Sequence, residues 1–217
     1  MPLPHPRAAA RLFPPHHAAG RKAKAVTTNA SSAPLVRPAT PADADAVIAF
    51  YDDLIDEIGS LPTAPNWEKG VYPTHDYLRE CIAAGEFFVA ELPDAPAPAD
   101  EKGTPRLAGA CLLRLGQDEE YDRIPWKVAA SPDQILVVHL IASATWAAGR
   151  GVGRALLDHA CDEARRHGCT VVRLDTLTTN TPAQHLYERY GFDRLGNFDL
   201  TYPTTGTMPL VIYELGV

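Results

Sequence analysis

No run of roughly 18 or more apolar residues occurs in the chain, and its first 20 residues contain no apolar stretch of the length a secretory signal needs. Neither a membrane span nor a cleaved leader is expected, so the reading is a cytoplasmic protein without a membrane partner. Cysteine is scarce. Cys81, Cys111, Cys161 and Cys169 show no C-x-x-C spacing, and the eight histidines are scattered, so no metal-ligand cluster is visible. Reduced core thiols and no metal are the expectation. Acidic residues are missing from positions 1–33, which carry Arg7, Arg11, Arg21, Lys22 and Lys24. The rest of the chain holds 15 basic against 27 acidic residues, a net charge of −12 that repels nucleic acid.

What the chain does hold is enough apolar residue for one core: 217 residues, 46% hydrophobic. Residues 1–33, rich in Pro, Ala, Arg and His, bury too little to offset the entropy of ordering, and they read as a disordered basic extension. The same composition suits a transit peptide or sequence ahead of the true start of translation. Residues 34–217 read as a single domain. A short strand at 35–37 leads to Thr40 as N-cap, Pro41 at the first helical position, and Val47, Phe50, Tyr51, Leu54, Ile55 and Ile58 at helical spacing. A second helix is predicted from Thr74 to Gly85, then strands at 87–92, 106–115 and 134–143. A flexible loop separates the first two strands, and an acidic, aromatic loop at 116–133 precedes the third.

The stretch "AAGRGVGRALL" follows the 134–143 strand and opens a helix at 152–167. Glycines there let backbone approach a ligand, and the free amides of a helix start favour an anion such as phosphate. A tight turn that binds nothing has the same local sequence. Two phosphate loops are excluded by spacing: Gly153-Arg154-Ala155 lacks the G-K-[ST] of a P-loop, and glycines at 149, 151 and 153 miss G-x-G-x-x-G. Beyond it come a strand at 170–177, a short helix with Thr181 as N-cap and Gly191 at its end, and strands at 192–200 and 208–217. The order is α+β: helices, about four in number, covering a mixed, mostly antiparallel sheet of about six or seven strands in an α/β/α arrangement.

Gly151-Val152-Gly153, the preceding "VVHLIAS" strand and the later "LDTLTTNTPAQHLYERYGF" together resemble the GCN5-related N-acetyltransferase (GNAT) superfamily over residues 134–196. Residues 34–133 agree with it in element order alone. The resemblance implies acetyl-CoA as co-substrate and acetyl transfer to a primary amine by direct attack in a ternary complex. It places Ile141, Ala142 and Ser143 beside the thioester and pantetheine arm, with the Ile141 amide as an oxyanion-type donor. Ala148, Gly149, Arg150, Gly151, Val152, Gly153 and Arg154 would surround the pyrophosphate, and Asn180 and Ala183 would approach the pantetheine. Ala148 stands where the superfamily carries Gln or Arg, so the charge of Arg150 and Arg154 has to serve instead. Tyr187 lies at the general-acid position; a packing role under the cofactor is its other reading.

The base is left open by the residues. His139, two before Ile141 on the strand, is expected to share its face, and a histidine can accept a proton at neutral pH. A hydrogen-bonded core histidine fits the same position. Glu119 and Glu120 are further candidates. The acceptor, a small molecule or peptide, is expected against loops 59–73 and 116–133. There Trp67, Tyr72, Tyr121 and Trp126 offer aromatic walls, and Asp118, Glu119, Glu120 and Asp122 offer negative charge suited to a cationic amine. Ala148 and an absent strand glutamate keep a catalytically silent acyl-CoA sensor in play. A homodimer is compatible with the sequence, which sets no oligomeric state.

Overall fold

The computed structural model describes residues 33–95, 106–202 and 206–217. The disorder expected of the N-terminal extension and most of the loop between the second and third elements of the sheet fall outside them. The described chain runs β1 (Leu35–Pro38), α1 (Ala44–Ile58), α2 (His75–Ala83), β2 (Phe87–Glu91), β3 (Gly109–Leu115), β4 (Ile135–Ser143), α3 (Val152–Arg166), β5 (Val171–Leu177), α4 (Thr181–Tyr190), β6 (Asp193–Tyr202) and β7 (Gly206–Gly216). Its seven strands form one sheet in the order β1-β2-β3-β4-β5-β7-β6. All neighbours are antiparallel except β4 and β5, which run parallel because α3 carries the chain from the end of one to the start of the other. The α+β expectation, with a mixed sheet between helices, is met.

Neighbouring residues of β2 show how the layers are assigned. Phe87 meets Tyr51 of α1, with rings 6.1 Å apart, and Phe88 meets His159 of α3 at 4.8 Å. Successive strand residues face opposite ways, so α1 and α3 cover opposite faces. α2 packs beside α1. α4 packs beside α3, where the Tyr190 hydroxyl donates to Asp158 at 2.8 Å. The stripe Val47, Phe50, Tyr51 and Leu54 is buried as its spacing predicts, and all four cysteines are free and buried.

Local chemistry sets the helix starts. Thr40 does stand before a Pro41 turn, but that turn is 3-10 (Pro41–Asp43), and α1 proper begins at Ala44. The Thr40 amide donates to Asp43 Oδ2 at 2.7 Å, and Arg37 holds the same carboxylate from β1. For α4 the cap is Asn180, whose side chain accepts from the Ala183 amide; Thr181, the expected cap, is the first helical residue. Asn is preferred over Thr at an N-cap, and from position 180 its side-chain oxygen meets the amide of the third helical residue.

Two irregularities in β4 shape the centre of the molecule. Its pairing with β3 shifts between Ala110↔Ala142 and Leu112↔His139, so β4 has one residue more than β3 there. Leu140 in that bulge has φ of 50°, and its carbonyl accepts from the Tyr51 hydroxyl at 2.5 Å. The second irregularity is on the other edge. β4 and β5 pair at Ile135↔Val171, Leu136↔Val172 and Val137↔Arg173, and no further. Beyond Val137 and Arg173 the two strands part, opening a wedge in the middle of the sheet.

Candidate active site

A cavity of about 500 Å³ occupies this wedge and continues to both sides of the sheet. From the α3 and α4 side it is bordered by Gly153, Pro182, Ala183, Leu186 and Tyr187, with Asn180 at the helix start. From the α1 and α2 side it is bordered by Leu54, Ile58, Tyr77, the 61–67 segment and Tyr72. The wedge joins the two.

The glycine loop leads into α3, and its Gly153 borders the cavity on that side. Gly149 and Gly151 take φ of 75° and 77°, a left-handed region closed to most side chains, and together they turn the chain from β4 into α3. Gly153 is glycine for a different reason: a Cβ there would lie 2.8 Å from Leu186 Cδ2, so the Leu186 side chain could not stay where it packs. The first helical bond runs from Ala155 N to Gly151 O at 3.0 Å, which leaves the amides of Val152, Gly153 and Arg154 at the open end of the helix.

The side chains of this loop behave less uniformly than the motif suggests. Val152 is buried and packs into the core. The Arg150 amide donates back to Ala147 O at 3.2 Å, and Ala148 donates to Thr145 O at 3.1 Å, so these two amides turn inward. Arg154 lies over the Tyr190 ring, 5.4 Å to its centre, and 3.8 Å from Asp158. Of the expected pyrophosphate residues, only Gly153 borders the cavity; Ala148 to Val152 and Arg154 lie outside its wall.

Ile141, Ala142, Ser143, Asn180, Ala183, Tyr187 and His139 are all brought to the cavity. The expected shared face of His139 and Ile141 does not hold. Because the bulge adds a residue, His139 and Ala142, three apart, pair with Leu112 and Ala110, which lie on one face. That face is the α1 side, since Leu112 pairs with Phe87. Asn180 donates to Thr176 Oγ1 at 3.0 Å as well as capping α4, which fixes its orientation. Tyr187 is buried, edge-on to Tyr213 with ring centres 5.5 Å apart, and burial raises its pKa, keeping the phenol protonated.

The acceptor loops divide. Trp67, Tyr72, Asp118 and Glu120 border the cavity; Tyr121, Trp126, Glu119 and Asp122 do not. Trp126 instead stacks on Arg173 at 3.9 Å, above the buried pair of Arg173 with Glu214, and its indole N–H donates to Tyr121 O. Residues 119–123 form a 3-10 turn that buries Tyr121 and turns Glu119 and Asp122 outward, while Glu120 stays at the cavity. Sequence reading also missed four residues of this wall: Tyr77, Arg114, Tyr202 and Asp175. Arg114 pairs with the buried Glu86 at 2.9 Å. Asp175 accepts a hydrogen bond from Tyr121 at 2.5 Å, and desolvation raises its pKa to about 6. A carboxylate inside the apolar strand "VVRLDTL" was the available signal.

A family model described as the acetyltransferase (GNAT) family matches residues 49–192. The chain belongs to the GNAT acetyltransferase family. As a GNAT acetyltransferase it is similar to streptothricin acetyltransferase of Streptomyces lavendulae, 29% identical over 84% of this chain and 93% of that protein. A shorter stretch, 26% of this chain and 38% of the relative, is 39% identical to the ribosomal protein bS18-alanine N-acetyltransferase of Escherichia coli. Among solved structures, a GNAT-family acetyltransferase of Streptococcus agalactiae superposes with a TM-score of 0.66 at 20% identity, covering 85% of this chain and 95% of that one. YncA of Salmonella typhimurium, solved with its cofactor acetyl-CoA, superposes at 0.57 and 20% identity over 85% and 94% of the two chains. At these identities the structures share the fold. Among the described residues no helix is long and apolar enough to cross a membrane, and no group of three or more His, Cys, Asp or Glu is arranged to hold a metal.

Proposed function

We propose that the protein transfers the acetyl group of acetyl-CoA to a primary amine of a small cationic acceptor, by direct attack with both substrates bound. The observation that carries this reading is the wedge between β4 and β5, which joins an amide-rich helix mouth on one side of the sheet to an acidic, aromatic recess on the other.

The residues present fit acetyl-CoA. Three free amides and the positive end of α3 suit its pyrophosphate, and the absence of a side chain at Gly153 leaves room beside Leu186. Ile141, Ala142, Ser143, Asn180 and Ala183 border the path its arm would follow, and β4 beyond Val137 has no strand partner on its β5 edge. Bound acetyl-CoA supplies an activated acyl group on a thiol leaving group. The chain's part is to hold backbone donors toward the carbonyl, exclude water and place protons. Tyr187, kept protonated by burial, is the group suited to deliver a proton to the departing sulfur.

On the acceptor side Asp118, Glu120 and Asp175 face one guanidinium, Arg114, whose charge is balanced by Glu86. A net negative recess with Trp67, Tyr72 and Tyr77 in its wall favours an ammonium over an anion. Release of free thiol from acetyl-CoA, followed with a panel of polyamines, amino-acid amides and streptothricin, tests the reading. Turnover with at least one cationic amine and none with hydroxyl or carboxylate analogues is expected. No thiol release with any amine would overturn it.

A further inference from the structure

Asp175 has a position that no part of the glycine-loop motif predicts. Val137 and Arg173 are the last paired residues of β4 and β5, and His139 and Asp175 each lie two residues further on. By strand alternation both point to the α1 side, so the two side chains stand on opposite lips of the wedge. Both border the cavity. Asp175 is held there by one oxygen: Tyr121, buried in a separate cluster of the 116–133 loop, donates its hydroxyl to Oδ2 at 2.5 Å. Tyr121 itself lies outside the cavity, so it holds through Oδ2 a carboxylate whose residue borders the cavity.

We propose that Asp175 is the residue that binds the acceptor's ammonium and takes its proton, with Tyr121 as its positioning residue. The assignment rests on the acetyl-transfer reading above and deepens it. In the step proposed, an N–H bond of the ammonium breaks and the proton passes to the Asp175 carboxylate. The freed amine forms the C–N bond to the acetyl carbon as the C–S bond breaks. The second proton lost by the nitrogen ends on the sulfur through Tyr187, and Asp175 returns its own to solvent. Two protons leave the ammonium and both are accounted for.

The surroundings suit a proton acceptor working near neutrality. Burial opposes the ionisation of Asp175 most, Tyr121 favours it, and Asp118 from the loop opposes it further, with Glu120 also at the cavity. Tyr72, Tyr77 and Tyr202, all neutral, and Arg114 and His139 are the other charged and titratable groups at the cavity on that side; Tyr187 approaches from α4. A carboxylate titrating at about 6 is ionised at pH 7.5 yet basic enough to accept a proton, which an ordinary exposed aspartate is not.

The test uses the full chain with Asp175→Asn, Tyr121→Phe and His139→Asn. With the best amine of the panel, Asp175→Asn should lose kcat/KM by at least about 100-fold at pH 7.5. The acidic limb of the wild-type pH profile should persist in His139→Asn and move to higher pH in Tyr121→Phe, because the lost hydrogen bond favoured the ionised form. A readout without acetyl-CoA accompanies it: in carbon-labelled aspartate spectra, one carboxyl titrating near 6 should vanish in Asp175→Asn and shift upward in Tyr121→Phe. An active wild type whose Asp175→Asn variant stays within about threefold, or a limb that follows His139, would overturn this role and leave the acetyl-transfer reading intact. A wild type inactive with every amine would overturn that reading itself.

Discussion

The two sides of the wedge are built from different materials. On the α3 and α4 side the polar groups are mostly backbone: amides at a helix start, glycines that turn or make room, and one phenol. On the α1 and α2 side they are side chains from distant segments, among them Trp67, Arg114, Asp118, His139 and Asp175. A backbone site tolerates little change in shape but is indifferent to most side-chain chemistry. A side-chain site can change its chemistry one residue at a time while the fold stays put. The contrast matches a family whose named members are all acetyltransferases and differ in the acceptor each name states.

Substitutions on each side sharpen that contrast. The largest effect is expected for Tyr187→Phe, a loss of about 10²- to 10⁴-fold in kcat with acetyl-CoA affinity unchanged by calorimetry. Unchanged kcat would reduce Tyr187 to a wall between Tyr213 and Phe192. Next is Gly153→Val, whose Cβ meets Leu186. It should destabilise by about 1–3 kcal/mol and weaken acetyl-CoA at least about tenfold, read by calorimetry on the folded variant. Turnover numbers for acceptors at saturating acetyl-CoA should change far less.

Asp175→Asn offers the third test, through stability. The folded state holds the Asp175 proton more tightly than the unfolded chain does, since its pKa rises from 3.8 to about 6. That contribution is fully present below about pH 4 and disappears as pH rises through 6. The variant should therefore match wild type in unfolding free energy near pH 3.5 and exceed it above pH 7, by about 1–3 kcal/mol. A variant less stable than wild type at pH 8 would show that the carboxylate supports the fold. Smallest is Arg154→Ala. Its guanidinium is engaged by Asp158 and Tyr190, so acetyl-CoA affinity should fall no more than about threefold. A loss of a hundredfold would make that arginine the replacement for the side chain missing at Ala148.

The same contrast explains which features are legible in the sequence. The α3 and α4 side is legible because its determinants are local: Gly151 and Gly153 at fixed spacing, a helix start, and Tyr187 one helix later. The strands and helices follow from periodicity, and errors fall at their ends, as with Asn180 replacing Thr181 as cap. The bulge at Leu140 is hidden, since it arises from a mismatch in pairing with β3 and leaves no mark in the β4 sequence. It separates His139 from Ile141, which simple alternation would set on one face. Within "DEEYD", composition does not tell which residues reach the cavity; the 3-10 turn sends Glu120 in and Tyr121 behind, against Asp175. The Asp175–Tyr121 contact spans 54 positions, beyond any local pattern.

The central claim is that donor and acceptor occupy opposite sides of the β4–β5 wedge at the same time. Initial rates of thiol release, measured while acetyl-CoA and the best cationic amine are varied against each other, test it most directly. Intersecting double-reciprocal lines are predicted. Parallel lines, the sign of an acetylated protein formed before the amine arrives, would contradict it.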